Sequence, residues 1–266
     1  MKLSSALVLL FVFTLAACSG DPVAPKEEER TYNASDSVYF PLASGDWQIV
    51  QRTVYDIDMN IVNRYDDSLA VQDSLPGDDY RRHTVFVYNN QTKQLTDTLT
   101  YAGVFGGAYE YKHIIDIPDL TFSNPSARYL AALQMTKIGD FGKIVGEWEN
   151  IDTMIVGLKV DHEGQLYDAN AVIVQRFVPA SSDSIALWDG KKVRTRRYSS
   201  STLYHIAVPA IGKEFYWQVP EHYYFQMGRG LVRYDRETTI IVFPDERRSY
   251  IPALQTLFKS GNRRGI

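Results

Sequence analysis

The sequence predicts an all-β, mainly antiparallel fold: a single curved sheet or half barrel with one or two short helices. Three observations carry that expectation. Apolar and polar residues alternate with a period of two in several runs, the mark of a strand with one buried face. Turn-forming residues separate those runs at short intervals. Aromatic residues make up 13% of the 266-residue chain, with 18 Tyr, 12 Phe and 4 Trp, and these types suit pleated, half-buried surfaces.

Taken in order, Trp47, Ile49, Tyr55 and Ile57 share one parity, with Gln48, Arg52, Asp56 and Asp58 on the other. That pattern predicts a first strand burying its Trp47 side. A β-rich run follows at Arg82–Tyr88, and Leu95, Leu99 and Tyr101 then alternate with Thr96, Thr98 and Thr100. Asn124-Pro125 supplies a cap and a first-turn proline, Ala127, Leu130 and Ala131 share a face, and Gly139 offers a stop. Those signals predict a helix. Tyr167, Ala169, Ala171, Ile173 and Phe177 return to period two. Further β-rich runs occupy Leu203–Val208, Phe215–Val219, Tyr223–Met227, Leu231–Tyr234 and Thr238–Phe243. Tyr250–Phe258 reads as a short closing helix or a last strand. Between these elements lie Pro76-Gly77-Asp78, Asn89-Asn90, Asp161 to Gly164, Asp189-Gly190 and Gly228-Arg229-Gly230, all turn signals.

The N-terminus differs in kind. Met1-Lys2 opens a short apolar run that ends in Leu15-Ala16-Ala17-Cys18. The run falls short of the roughly 20 residues a spanning helix needs, and its layout is that of a secretory signal peptide. The last four residues resemble the lipobox of bacterial lipoproteins, and Cys18 is the only cysteine. The resemblance implies cleavage before Cys18 and acylation there, which anchors a chain to a membrane without spanning it. Ser19, where an Asp would retain some lipoproteins at the inner membrane, implies the outer membrane, facing the periplasm or the surface. The expected organisation is a signal peptide over 1–17, a lipidated flexible tether over 18–37, a β-rich domain over 38–258 and a basic tail over 259–266.

Two stretches carry a wider resemblance. Tyr39-Phe40-Pro41-Leu42-Ala43-Ser44-Gly45-Asp46-Trp47 resembles the opening motif of many bacterial exported lipoproteins, with one residue rather than two between Gly and Trp. Gly228-Arg229-Gly230-Leu231-Val232-Arg233-Tyr234 resembles a hairpin near the end of the same proteins. Related chains look like the LolA/LolB half barrel, which implies a curved antiparallel sheet around a helix or ligand. It implies a fold more than an activity.

Candidate chemistry is sparse. A formal net charge of −4 argues against nucleic-acid binding, which needs a basic surface. His162-Glu163 opens like a zinc-protease motif, but Leu166 stands where the second histidine belongs, so a turn is the better reading. Asp56, Asp58 and Asn60 match the start of a calcium loop and Asp67 its twelfth position, yet Ile61 replaces the required glycine. A hairpin turn explains the same residues. Ser199-Ser200-Ser201 followed by His205 suggests hydrolysis only weakly, because no nucleophile elbow is present. No catalytic residue, metal ligand or cofactor is assigned on these grounds.

The functional expectation is a non-catalytic binding or envelope-assembly module, with a hydrolase of envelope lipid or glycan as the alternative. The expected ligand is lipid or glycan, held in the concavity of the sheet by inward aromatics, Trp47, Tyr101 and Phe177 among them. Lys192, Arg194 and Arg196 share one strand parity and would form a rim for an anionic headgroup. Protein partners are left unspecified by the sequence.

Overall fold

The computed structural model describes residues 44–72, 81–104, 107–112, 120–122, 134–141, 148–243 and 245–262. The expected signal peptide, the tether and Cys18 lie outside them. The N-terminal half of the sheet comprises β1 (Trp47–Tyr55), β2 (Ile61–Val71), β3 (Arg81–Asn89), β4 (Leu95–Val104) and β5 (Gly107–Lys112). Then come β6 (Leu120–Phe122), β7 (Gln134–Asp140), β8 (Trp148–His162), β9 (Gln165–Ala186) and β10 (Lys192–Val208). A 3-10 turn at Pro209–Ile211 leads into β11 (Lys213–Gln226), β12 (Gly230–Arg236), β13 (Thr239–Val242), β14 (Arg248–Ile251) and β15 (Ala253–Gly261).

Among the described residues, thirteen strands form one sheet in the order β6-β8-β9-β10-β11-β12-β15-β1-β2-β3-β4-β5-β7, and β13-β14 form a separate hairpin. Every pairing is antiparallel. The sheet is curved and does not close, since β6 and β7 remain its two ends. The expected fold class is therefore the observed one.

Local sequence sets the turns. Glu163 and Gly164 both take positive φ between β8 and β9, at 54° and 81°, as a tight primed hairpin turn requires. Asp56 closes the β1–β2 turn by accepting the N–H of Asp58 (2.9 Å) and of Asn60 (2.8 Å) on Oδ1. Its other oxygen accepts the Asn60 side-chain N–H at 3.1 Å. Both motifs suggestive of metal loops are thus hairpin turns. Pro220 sits inside β11, where the sequence suggests a break between Val219 and Tyr223. Its carbonyl accepts the Glu237 N–H at 3.1 Å, so its missing N–H faces β12 just beyond the last ladder pair, Glu221–Arg236. No ladder bond is lost there, and the strand continues.

Curvature brings one end of the sheet onto its middle. Ala108 of β5 and Ile138 of β7, with Phe141, pack against Phe177, Tyr198, Tyr223 and Phe225 from β9, β10 and β11. Phe141 meets Phe225 edge-on at 5.1 Å and Tyr198 edge-on at 5.7 Å, and Phe177 stacks on Tyr198 at 5.5 Å. The helix expected to end at Gly139 is strand β7 from Gln134 onward, and 123–133 lie outside the described residues. Gly139 is instead a close-approach position: a Cβ there would lie 2.9 Å from the Phe141 ring. Tyr250–Phe258 is two strands divided at Pro252, and Lys259 belongs to β15 rather than to a tail.

The first strand is a correction. Its inward side carries Gln48, Val50 and Arg52, while Trp47 is 40% exposed and Ile57 is 49% exposed. The physical reason is that β1 faces an interior that takes polar side chains. Arg52 Nε lies 3.0 Å from the buried Asp67 carboxylate, so apolar parity misidentifies the buried face.

If the aromatic contact holds the curl, Phe225→Ala should cost about 3–5 kcal/mol, read from denaturant midpoints. Tyr216→Ala, at a position 73% exposed on the same strand, should stay within about 0.5 kcal/mol. Equal losses from the two variants would refute this account of the curl.

Candidate functional site

The curl leaves a hollow of about 280 Å³ on the inward side of the sheet. Val50 of β1, Leu69 of β2, Leu99 of β4, Val219 of β11, and Leu254 and Phe258 of β15 supply its apolar surface. Strand geometry explains the convergence: each of these occupies the inward parity of its own strand, and antiparallel register aligns them. Phe258, for example, is the cross-strand partner of Val50.

One wall is polar. Glu221, 4% exposed, pairs across the ladder with Ser200 on β10 and with Arg236 on β12. The Tyr234 hydroxyl donates to Glu221 Oε1. Tyr223 and Tyr234 pack with ring centroids 5.1 Å apart, and Tyr101, Tyr204 and Glu110 face the same space. Burial, and after it the charge of Glu221, pushes the hydroxyls of Tyr204, Tyr223 and Tyr234 well above the ordinary tyrosine range. All three therefore stay protonated, and of them Tyr234 is the donor to Glu221. Arg236 donates to the Pro252 carbonyl at 3.1 Å, and Arg233 makes a close pair with Asp235 at 2.7 Å.

Several buried polar atoms on this side have no hydrogen-bond partner. They include Gln48 Oε1 in the hollow's wall, both amide atoms of Gln175, and Ser200 Oγ. An unmet buried group of this kind costs about 1–3 kcal/mol. Of these three residues, Gln48 lines the hollow.

The sequence-derived residues distribute unevenly around the hollow. Tyr101 lines it. Phe177 is fully buried in the adjoining aromatic cluster and fills core. Trp47 is exposed at the strand start. Lys192 and Arg194 are exposed, and with Arg196 they face away from the side that buries Val193 and Thr195. The register between β9 and β10 shifts between Arg196 and Tyr198, and none of the three basic residues is among those that line the hollow. The residues missed are Arg52, Glu110, Glu221 and Arg236. One signal was legible: Glu221 is a charge on the otherwise apolar parity Phe215, Trp217, Val219, Tyr223 and Phe225.

A second polar arrangement lies on the opposite face. Ser199 Oγ is 2.9 Å from His222 Nδ1, and His222 Nε2 is 3.1 Å from Glu237 Oε1. His205, the sequence-level partner of the serines, instead meets Glu214 at 3.1 Å.

No protein-family model matches the sequence, and no curated protein sequence does. Solved structures similar to this chain include three from gut and enteric bacteria. One, from Parabacteroides distasonis and provisionally described as a lipoprotein, is 12% identical with a TM-score of 0.44, covering 85% of this chain and 99% of its own. Another, an exported protein of Bacteroides fragilis described as having a YmcC-like fold, is 8% identical with a TM-score of 0.36 and the same coverages. The hypothetical lipoprotein YmcC of Escherichia coli is 9% identical with a TM-score of 0.25, covering 82% and 89%.

Asp67 gives the site a pH signature. Burial raises its carboxyl above the ordinary range; Arg52 opposes the rise, and Asp97 and Asp66 add to it. A carboxyl raised in the folded state favours folding while protonated, and that contribution fades as pH climbs through the folded value. Asp67→Asn should therefore gain stability relative to wild type as pH rises above about 4, measured as the difference in urea midpoints. A difference that is flat, or that falls with pH, would contradict the raised carboxyl.

Proposed function

We propose that this protein is an exported bacterial lipoprotein, anchored through Cys18 at the outer membrane. Its β domain acts as a non-catalytic envelope module that holds a hydrophobic or amphipathic ligand in the hollow of the sheet. The anchor is supported by the Leu15-Ala16-Ala17-Cys18 run after an apolar segment too short to span a bilayer. The ligand is supported by one observation above all: a hollow that joins apolar side chains to polar ones, among them Gln48, whose buried Oε1 has no hydrogen-bond partner. An alkyl segment burying about 100–200 Å² there gains roughly 2.5–5 kcal/mol before the costs of association.

Two measurements test the two halves. Cys18→Ala should abolish acylation, seen as a mass shift, and release the protein from the membrane fraction; unchanged fractionation would end the lipoprotein reading. An environment-sensitive fatty probe should brighten on the intact protein and lose at least about tenfold in affinity when Val219→Trp fills the hollow. A probe that never brightens, or binds Val219→Trp equally, would end the ligand reading.

The hydrolase alternative rests on the Ser199–His222–Glu237 chain. Ser199 and His222 are direct cross-strand partners, so the register alone brings them together. Ser199 sits mid-strand between β9 and β11, where ladder pairing engages the backbone N–H groups that an oxyanion hole would need. The binding reading therefore expects no labelling of Ser199 by a fluorophosphonate probe, and mass-spectrometric detection of that adduct would favour the enzyme.

A further inference from the structure

Resting on the Cys18 anchor read above, we propose that the end of the sheet where β1 begins is a docking surface for an anionic phospholipid bilayer. Trp47, Trp188, Met227, Lys191 and Lys192 present it.

Strand register gathers these residues at one end. Trp47 opens β1, and its N–H donates at 2.7 Å to Oδ1 of Asn262, the residue that follows β15. The β9–β10 ladder runs on to Ala186–Lys192, while the β10–β11 ladder stops at Arg196–Phe225. The β9–β10 hairpin therefore continues past β11, and its tip reaches β15, where Trp188 Nε1 donates to the Lys259 carbonyl at 2.8 Å. Leu187 and Val193 of the same hairpin pack with Val232 and Phe258. Met227 sits in the turn from β11 to β12, and Arg229 of that turn lies 5.8 Å from the Phe258 ring. This packing fixes the two turns yet leaves large apolar side chains bare. Trp188 is 50% and Met227 66% exposed, beside the exposed Trp47.

The charge left over on the hairpin is positive. Lys259 is paired with Asp66 at 2.7 Å and Arg197 with Asp183 at 3.6 Å. Lys191 and Lys192 are exposed and have no carboxylate partner among the described residues. Arg194, exposed on the same strand, reaches the Ser182 hydroxyl at 3.4 Å. Against these three cations the tip, from Ala186 to Arg194, sets one carboxylate, Asp189, which accepts the Lys191 N–H at 3.0 Å. Lys and Arg are drawn to an anionic leaflet, and exposed Trp settles at the level of its headgroups.

Chain connectivity favours this end over the other. From Cys18 to Trp47 the chain is about 30 residues long and spans at most about 100 Å when fully extended. An acyl anchor at its start holds the Trp47 end within that reach of the bilayer, so docking becomes an intramolecular event for which a few charges suffice. The β1–β2 turn at the far end of the same strand exposes Ile57, Met59 and Ile61, but it interleaves them with Asp56 and Asp58. An anionic surface repels that turn.

The test uses the intact protein on vesicles of brominated phosphatidylcholine, with or without about one quarter phosphatidylglycerol. All four tryptophans lie at or after residue 47, so quenching of their fluorescence by the bromines reads docking of the domain, whereas sedimentation with the vesicles reads the anchor. Quenching should be at least about threefold stronger with phosphatidylglycerol and should fall as salt rises to about 0.5 M. Joint Lys191→Glu and Lys192→Glu substitution should remove most of it, and Met59→Asp should leave it unchanged, with folding checked by thermal melts. If the double variant does not fold, Met227→Asp takes its place with the same expectation. Absent quenching, equal quenching on the two vesicles, or an unaltered folded variant would overturn the docking surface. Dextran sulfate bound without vesicle quenching would overturn it too, by assigning this end to an anionic polysaccharide. None of these outcomes touches the anchor, which stands or falls on sedimentation and on the acyl mass at Cys18.

Discussion

The contact between the end of the sheet and its middle is the constraint on which the rest depends. Ile138 and Phe141 reach Phe177, Tyr198 and Phe225 only if thirteen strands curve enough to bring β7 over β9 and β10. Twist makes such curvature natural in an antiparallel sheet, but a sheet this wide has many curvatures available. The aromatic cluster selects one. Aromatic pairs at 5–6 Å contribute about 0.5–1.5 kcal/mol each beyond the area they bury, and Phe141, Tyr198 and Phe225 are in mutual contact. Gly139 belongs to the same device, because a side chain there would hold the Phe141 ring away.

Once that contact is made, the hollow is a by-product of geometry. The inward faces of β1, β11, β12 and β15 look across a gap that the aromatic cluster fills at one end. A second cluster, with Tyr204, Phe215 and Trp217, closes the core toward β13 and β14. Tyr204 and Trp217 stack at 4.9 Å. What remains between the clusters is lined by side chains that no strand neighbour covers, and there the chain places its buried charges. Arg52 is paired with Asp67, Arg233 with Asp235, and Glu221 accepts from Tyr234. Replacement by apolar residues of similar size is often neutral or stabilising for such groups, which is why they bear on function more than on folding.

The two faces of the sheet also divide the chemistry. The outward face carries Ser199–His222–Glu237 and His205–Glu214. These are cross-strand ties and solvated charges, of modest worth where water screens them. The inward face carries the unmet polar atoms and the tyrosines held protonated by burial. Water exclusion, more than residue type, separates the two sets.

By itself the sequence determined the strands, their turns and the class of fold. Period-two runs such as Ala169, Ala171, Ile173 and Phe177 are buried as read, and Asp189-Gly190 and Gly228-Arg229-Gly230 turn the chain as their conformational freedom predicts. Alternation and turn chemistry are local, so one strand's residues suffice to show them. The tertiary structure alone decided which face of β1 looks inward, where bulges reverse parity, and which charges meet. Parity reasoning takes the apolar side as the buried one, and that fails where the interior is a polar-walled hollow, as at Gln48 and Arg52. The register shift between β9 and β10 at Arg196–Tyr198 likewise leaves no mark in residue type. Glu110 and Glu221 are separated by six strands in the order of the sheet, and only its curvature brings both to the same hollow.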